Sequence, residues 1–586
     1  MSTVHRVLTV LCLWFLQALP SLAGPPATAP ATAPAAGPPA EGAVDYARWL
    51  IGAIETIQSR LGTVAASADQ AAEKYVESHR HIAVAGDRAF MFEAYGRSGG
   101  LMRMDIVKDL RHAREKKGRI VLLALREDHL QEDIDLARLL NQRDDHVVAF
   151  ARPRLLDRAR KAGVRFDAAI ATPAAPDGGL YALPDGSTIV PTDSAAAIAA
   201  GWTWTAEFVA ALTRRGKMPP MFLGYAVPGG RERQKRIGWI RFHEQAPHPT
   251  PRGKLGEAFL ARMRQDALLL ARRELFDIRA AAALALAAGQ AGRPTASFLH
   301  GHAILAHGRN LPHDPNYLPQ INRDWFKLKR DTRLTDGEFI LAVGFDEMFR
   351  GRKYDQFAER ARHAGAVLAW SFTDYKPAEL ARVGPGEVFI DQGWAFGDAV
   401  VPLAGYDVPM IPTSGVLSEA VLWMTTAEIA AHRHRDARLA CEPKAEIPPA
   451  GWLFPPAELT VDANLAAEVL GDATPAGDME ELAADDADTR RMAAWRLGVR
   501  RQAGPKVLAA LTAALDDDAW QVRRTAAGAL GLIAPTGDAR PAVLSELNAL
   551  AADKELTVAI TAAYARKLLG DPDAPAALDA CFERME

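Results

Sequence analysis

Several residues that can bind metals lie close together near the middle of the 586-residue chain. The set consists of His300, His302, His307, His313 and Asp314. Imidazole nitrogens and carboxylates are ligands that zinc takes in proteins, but this spacing matches no established zinc motif. We therefore predict no metal site.

Hydroxyl side chains occur at two further points of the chain. Ser371 and Thr373 follow an apolar run and precede Asp374, and Thr413 and Ser414 precede a helical pattern. A Ser or Thr before a helix is an ordinary N-cap, and polar residues in loops often have no further role. The same hydroxyls could bind a ligand if strand ends bring them together, so both interpretations stay open.

The common cofactor and nucleophile motifs are absent from the sequence. The chain has no Gly-x-Ser-x-Gly elbow, no P-loop and no complete dinucleotide fingerprint. The glycine-rich stretch GRSGG from Gly96 lacks the strand that such a fingerprint needs immediately before it. We therefore expect no cofactor.

Two helical segments, 221 residues apart, are more alike than composition explains. PTDSAAAIAAGWTWTAEFVA begins at Pro191, and PTSGVLSEAVLWMTTAEIAA begins at Pro412. The alignment matches Trp202 with Trp423, which we interpret as a pair of core residues. Self-similarity at this spacing predicts an internal duplication of a whole domain.

Four short apolar runs precede each repeated segment. They read HIAVAGD, GRIVLLAL, HVVAFA and FDAAIATP in the first copy, and ASFLHGH, GEFILAVG, AVLAWS and EVFIDQG in the second. Continuous runs of this length predict buried strands of a parallel sheet. Helical patterns between them, such as DIDLARLLNQ, predict βαβ crossovers and a doubly wound sheet. A long helical pattern opens each copy, over 45–77 and 256–290.

The C-terminal part of the chain has a different pattern. DTRRMAAWRLG from Asp488 and AWQVRRTAAGALG from Ala519 share an Arg-x-Ala-Ala-x-x-Leu-Gly spacing, 33 residues apart. This resembles HEAT-type helical repeats, which bind protein partners or cap a neighbouring domain. We expect this part to be a separate helical unit.

The N-terminus has the layout of a secretory signal peptide. Val7 to Leu19 is almost entirely apolar, and Ser21-Leu22-Ala23 precedes a possible cleavage point. We therefore expect an exported protein with no membrane span after cleavage. Cys441 and Cys581 would remain and could pair in an oxidising compartment. The balance of 69 basic and 72 acidic side chains indicates neither a nucleic-acid partner nor an anionic membrane.

These patterns divide the chain into seven segments. They are a signal peptide (1–23), a Pro/Ala-rich linker (24–43), a first half (44–215), a connector (216–254), a second half (255–435), a linker (436–487) and HEAT-like repeats (488–586). The basic run RERQKR in the connector is interpreted as a solvated loop.

The halves resemble SIS (sugar isomerase) domains of the phosphosugar-binding type. EVFIDQGWAFGDAVVPLAGYDVPMIPTSGVLSEAVLWMTTAEI is similar to the last strand, Gly-Asp-Ala turn, Pro-Thr-Ser cap and final helix of that family. LHGHAIL resembles its first-strand Gly-His loop, and AGDRAFMFEAYGRSGGLM is a degenerate form of the same region. The resemblance implies two flavodoxin-like doubly wound domains, followed here by the all-α repeats, with a site at the carboxyl ends of the strands.

The resemblance places a sugar-derivative site mainly in the second half. The implied ligand-binding residues are His300, Gly301, His302, Gly344, Asp346, Ser371, Thr373, Thr413 and Ser414. Family members hold phosphate with Ser and Thr after the second strand, whereas this chain has LREDHL and GFDEMFRG there. Asp346 and Glu347 would repel a phosphate, and Arg350 and Lys353 would attract it. Whether phosphate is bound therefore stays open.

Three functions remain possible at this stage. The leading hypothesis is an exported protein that binds a sugar or phosphosugar derivative without catalysis. The alternative is an aldose–ketose isomerase, for which His302, Glu93 and Glu419 are the candidates for proton transfer. A third hypothesis is a protein-interaction scaffold that uses the HEAT-like repeats.

Overall fold

The computed structural model describes most of the chain between residues 38 and 585. The described residues are 38, 40–77, 81–225, 227–302, 304, 318, 334–344, 352–373, 383–394, 397–441, 445–447, 470 and 473–585. The predicted signal peptide, Asp346, Asp374, His307, His313 and Asp314 lie outside these residues.

The first half folds around a five-stranded parallel sheet. Its strands are β1 (Ile82–Gly86), β2 (Met104–Val107), β3 (Ile120–Ala124), β4 (His146–Ala151) and β5 (Ala168–Ala171), in the spatial order β2-β1-β3-β4-β5. That order is the flavodoxin-like one. Its helices are α1 (Ala43–Ser59), α2 (Leu61–Glu77), α3 (Arg88–Ala94), α4 (Leu110–Glu115), α5 (Leu130–Gln142), α6 (Pro153–Lys161) and α7 (Asp193–Arg214).

The connector contains a helix, and the second half is again a parallel α/β fold. Helix α8 (Gly230–Ile237) lies in the connector, where we expected a loop. The second half contains α9 (Lys254–Arg273), α10 (Leu275–Gln290), β8 (Thr295–Leu299), β9 (Phe339–Val343), α11 (Arg352–His363), β10 (Val367–Phe372), β11 (Val388–Asp391) and α12 (Ser414–Arg433). Its described strands form a parallel sheet in the order β11-β10-β9-β8. The predicted parallel α/β fold of both halves is therefore confirmed.

Each sheet is followed by an antiparallel hairpin that leads into a long final helix. The hairpins are β6 (Gly179–Ala182) with β7 (Thr188–Pro191), and β12 (Ala399–Val401) with β13 (Met410–Pro412). A short strand after the second half, β14 (Arg438–Leu439), returns to the first half and pairs with β6.

The core of the α/β part consists of helices packed between the two sheets. Helix α7 is mostly apolar, and it is buried from Ala195 to Thr213. Among the described residues it alone is long and apolar enough to cross a membrane, and its apolar window lies wholly inside the protein, as in a core helix. Each predicted long helix is in fact two helices, because the chain turns at Arg60 and at Glu274.

The C-terminal tail (residues 473–585) is all-helical. Its helices are α13 (Pro475–Glu481), α14 (Ala487–Arg500), α15 (Pro505–Ala513), α16 (Trp520–Ile533), α17 (Ala539–Ala549), α18 (Leu556–Leu568) and α19 (Ala574–Glu583). The tail therefore begins before Asp488.

We expected the tail to be a separate helical unit, and in the structure it packs against the second half. The tail has a core of its own around Leu511, Ala526 and Leu530, but Ile560 and Phe582 belong to the main core of the α/β part. Lys567 of α18 donates to both carboxylate oxygens of Asp277 on α10, at 2.7 and 2.9 Å. The repeats thus cover one face of the second half.

Candidate functional site

The carboxyl ends of three second-half strands are tied together by one amide side chain. Gln392, directly after β11, is fully buried and donates to the carbonyl oxygens of Gly344 and Ser371, at 2.9 Å each. Its Oε1 accepts from Trp394 Nε1 at 2.9 Å and from Ser418 Oγ at 2.7 Å. The amide therefore fixes the ends of β9, β10 and β11 against helix α12.

The predicted hydroxyl residues lie at this end of the sheet and are all buried. Thr373 Oγ1 donates to the Trp394 carbonyl, and Thr413 Oγ1 donates to Asp266 Oδ2 at 3.3 Å. The Ser371 hydroxyl has no hydrogen-bond partner in the part of the chain that the structure describes. A buried hydroxyl without a partner is costly, so Ser371 is a candidate for a ligand contact.

A cluster of charged side chains joins the two halves beside these strand ends. We call it the inter-half cluster; it consists of Glu93, Arg97, His302, Asp398, Ser414 and Glu419. Arg97 of the first half pairs with Glu93 at 3.2 Å and with Asp398 of the second half at 2.6 Å. His302 Nδ1 lies 3.1 Å from the Phe92 carbonyl oxygen of the first half, so His302 crosses in the opposite direction.

The cluster holds three buried carboxyl groups close to a single guanidinium. Burial raises the pKa of Glu93, as do the Asp398 and Glu419 carboxylates, against the lowering effect of Arg97. Burial also raises the pKa of Asp398, against the lowering effects of Arg97 and Ser414. Desolvation lowers the pKa of His302 to about 3, and Arg97 adds to that effect. At neutral pH His302 is therefore an uncharged imidazole.

The Glu93 carboxylate lies against the first turn of α12. A Cβ atom added at Gly415 would lie 2.3 Å from Glu93 Oε1, so only glycine allows this approach. The N-terminus of a helix offers free N–H groups and a partial positive charge to an anion. In this protein a side chain from the other half occupies that position.

The GRSGG stretch has a structural role that its sequence did not reveal. Ser98 Oγ donates to the Gly397 carbonyl at 2.8 Å, and the Ile411 N–H donates to the Gly99 carbonyl at 2.9 Å. A Cβ at Gly99 would lie 2.7 Å from Ala399 Cβ. This loop of the first half therefore docks against the β12–β13 hairpin of the second half.

The equivalent strand ends of the first half are filled by their own ion pairs. Arg152, which is 1% exposed, donates to Glu127 at 2.8 Å and to the Pro176 carbonyl at 2.7 Å. Its Nε lies 3.2 Å from Asp193, the first residue of α7. Burial raises the pKa of Asp193 to about 6, against the lowering effect of Arg152. The guanidinium therefore fills the space between the ends of β3 and β4 and the first turn of α7.

Strained backbone precedes the final helix in both halves. Val190 and Ile411 have φ values of 60° and 61°, which are rare for β-branched residues. Such strain persists only where the surroundings enforce it, and at Ile411 the hydrogen bond to Gly99 contributes. The two positions are 221 residues apart, the same offset as the sequence repeat.

The sequence-based candidates divide into three groups. The structure brings His302, Ser414, Glu93 and Glu419 into one cluster, and it places His300, Gly344, Ser371, Thr373 and Thr413 at the adjacent strand ends. Asp346 lies outside the described residues. Among the described residues no group of three or more His, Cys, Asp or Glu side chains could hold a metal ion.

Sequence reasoning missed Gln392, Arg97 and Asp398. A polar residue directly after a buried strand was the available signal for Gln392, and the Gly-Asp-Ala turn was the signal for Asp398. Nothing in the sequence indicated that Arg97 reaches the second half. Both Cys441 and Cys581 are free thiols, so the pairing that we considered is not formed.

Comparisons with known proteins bear on both parts of the chain. A family model for HEAT repeats matches residues 479–565, and no curated protein matches. The C-terminal domain of glucosamine-fructose-6-phosphate aminotransferase from Francisella tularensis is 10% identical, with a TM-score of 0.37, over 66% of this chain and 95% of that one. Tagatose-6-phosphate ketose/aldose isomerase from Escherichia coli is 10% identical, with a TM-score of 0.34, over 70% of this chain and 96% of that one. The predicted HEAT resemblance is confirmed over residues 479–565.

Proposed function

We propose that this protein binds a sugar derivative at the strand ends of the second half, through hydroxyl or amino groups of the ligand rather than a phosphate. One observation carries the proposal: the Glu93 carboxylate already lies at the N-terminus of α12. Carboxylates accept hydrogen bonds from sugar hydroxyls and attract an ammonium group, but they repel a phosphate. The Ser371 hydroxyl, which lacks a partner among the described residues, adds a neutral contact.

Thermal shift with matched pairs of sugars tests this proposal. Glucosamine and N-acetylglucosamine are each compared with their 6-phosphates, and we expect the unphosphorylated member to raise the melting temperature more. Glu93→Gln keeps the shape but removes the charge, so it should improve binding of the phosphorylated member. Glu127→Gln, in the first half, is the matched control and should change neither. A larger shift with the phosphates in the unaltered protein would contradict the proposal.

A second candidate function is an aldose–ketose isomerase. It is favoured by the position of Glu93, Glu419 and neutral His302 in one cluster, because proton transfer at carbon needs a base whose pKa lies near the working pH. Exchange of a carbon-bound hydrogen of the sugar in heavy water would support it. If no sugar shifts the melting temperature, the fold serves only as a scaffold.

We also propose that the chain is exported. The apolar run at 7–19, followed by Ser21-Leu22-Ala23, supports cleavage near Gly24. N-terminal sequencing of protein from its native source tests this. An intact Met1 on cytoplasmic protein would contradict export.

The two halves, in our proposal, arose by duplication. The strand order β1-β3-β4-β5 corresponds to β8-β9-β10-β11, and a hairpin and a long helix follow in both. Thr192 and Thr413 both occupy the N-cap of the final helix. Homologues that contain one half, pairing as symmetric dimers, would support this origin.

A further inference from the structure

Helix α8, in the connector, presents a basic face to solvent. Its buried residues are Gly230, Arg233 and Ile237, at intervals of three and four positions, so the other residues share one exposed side. That side consists of Arg231, Glu232, Lys235 and Arg236. Gln234, beside them, is half-buried.

Aromatic side chains border this basic face. Trp239, two residues after the helix, is 84% exposed. Tyr225 is 40% exposed, and the Arg231 guanidinium lies 5.9 Å from its ring centroid. Arg103 of the first half donates to the Trp239 carbonyl at 3.3 Å and adds another exposed cation. We call Arg103, Tyr225, Arg231, Lys235, Arg236 and Trp239 the basic–aromatic patch.

Helix α8 is anchored to the protein by Arg233, on its buried side. Arg233, on the buried side of α8, pairs with Asp407 and donates to Tyr406 Oη at 2.9 Å. Its guanidinium also lies 5.4 Å from the Tyr406 ring centroid. Asp407 therefore pairs with Arg233 and not with the exposed cations. On the helix itself, Glu232 is the one carboxylate beside the four exposed cations of the patch.

We propose that the basic–aromatic patch docks the protein onto an anionic lipid surface. Indole and phenol rings have an apolar body and a polar edge, so they are favoured at the level of lipid headgroups. Lysine and arginine side chains near such a surface are attracted to anionic headgroups. An exposed indole lacks the favourable free energy of burying its apolar surface. Insertion between lipid headgroups would supply that free energy. The net charge of -3 favours neither lipid nor nucleic acid. The choice of lipid therefore rests on the 84% exposed Trp239 side chain beside the cations, and displacement by DNA is an outcome of the test below.

Vesicle co-sedimentation of the full chain tests the proposal. The vesicles contain phosphatidylglycerol in phosphatidylcholine, or phosphatidylcholine alone, at low and high salt. The variants are Arg231→Glu/Lys235→Glu/Arg236→Glu and Trp239→Ala. The matched control is Arg154→Glu/Arg160→Glu/Lys161→Glu, which reverses three exposed cations on α6 that have no neighbouring exposed Trp. Every variant keeps the same N-terminal apolar run, so differences between variants report on the patch.

We expect the unaltered protein to sediment with anionic vesicles at low salt and to be released by high salt. Each cation that is removed should weaken vesicle binding about fivefold, so the α8 triple variant should no longer bind the vesicles. Trp239→Ala should lose most of its binding. The α6 variant should bind like the unaltered protein. Equal losses in the α6 and α8 variants, no effect of Trp239→Ala, or no binding of the unaltered protein would overturn the proposal. Displacement by a short DNA that binds the patch more tightly than the vesicles would assign it to nucleic acid instead.

Discussion

Glu207 and Glu428 each cap the first helix of the opposite half. Glu207, in α7, accepts from the N–H groups of Gly253 and Gly256 at the start of α9, at 2.7 and 2.8 Å. Glu428, in α12, accepts from the Ala43 N–H at the start of α1, at 2.9 Å. The first N–H groups of a helix have no partner inside it, and its N-terminus favours negative charge. The two carboxylates therefore fix each half to the other by the same contact.

Removing either carboxylate should destabilise the protein. Glu207→Ala leaves one buried and one half-buried N–H group without this acceptor, and we expect a loss of about 2 kcal/mol in the free energy of unfolding. Glu428→Ala should cost more, because Arg279 also loses its ion pair with Glu428 at 2.8 Å and retains Asp579. Urea denaturation measures both. Glu257→Ala, an exposed carboxylate on α9, is the control, and losses no larger than in this variant would show that the caps contribute nothing.

The repeated sequence around Glu207 and Glu428 predicted the helices but not the contacts that these two carboxylates make. Thr205-Ala206-Glu207 and Thr426-Ala427-Glu428 indicated two equivalent helices, and the apolar runs predicted the strands, because burial on both faces of a sheet leaves a direct sequence pattern. The reciprocal capping could not be predicted, since it depends on how the halves pack. The same holds for Glu93, whose position at α12 depends on a loop that crosses between the halves.

The location of the ligand site can be tested with paired variants. His302→Ala with Ser414→Ala removes two members of the inter-half cluster, and we expect it to abolish the ligand-induced rise in melting temperature. Asp87→Ala with Ser194→Ala alters the equivalent end of the first half, where Arg152 fills the space, and should leave that rise largely unchanged.

Both pairs should lower the melting temperature of the protein without ligand. Asp87 caps α3 by accepting from the Phe90 N–H at 2.9 Å, and His302 contacts the Phe92 carbonyl oxygen at 3.1 Å. The readout is therefore the difference made by the sugar. A larger loss from the first-half pair, or equal losses, would place the site elsewhere.

One contact between the tail and the second half is a close approach between two glycines. A Cβ on Gly528 of α16 would lie 1.9 Å from the Gly386 nitrogen, whereas a Cβ on Gly504 meets nothing within 4 Å. Alanine is favoured over glycine inside a helix by about 1 kcal/mol, so propensity alone would make Gly528→Ala stabilising. We expect the opposite: a lower melting temperature and faster proteolysis of the tail, with Gly504→Ala unaffected. Unchanged proteolysis of Gly528→Ala would mean that the tail is not held by this contact.

A buried carboxyl between the second half and the tail should make stability depend on pH. Burial raises the pKa of Glu274 from its ordinary 4.5 to about 8; the Asp277 carboxylate adds to this rise, and Lys567 opposes it. The Asp391 N–H also donates to Glu274 at 3.0 Å. The folded protein therefore holds a proton that the unfolded chain releases once the pH exceeds 4.5.

For such a group the contribution to stability is complete below pH 4.5 and is lost as the pH rises through about 8. Glu274→Gln has no proton to lose, so its free energy of unfolding should fall less steeply between those limits. We expect the variant to gain roughly 2–4 kcal/mol on the unaltered protein across this range. Urea denaturation at a series of pH values measures the two slopes, and the infrared band of a protonated carboxyl should disappear in the variant at neutral pH. Parallel slopes would show that Glu274 is already ionised in the folded protein.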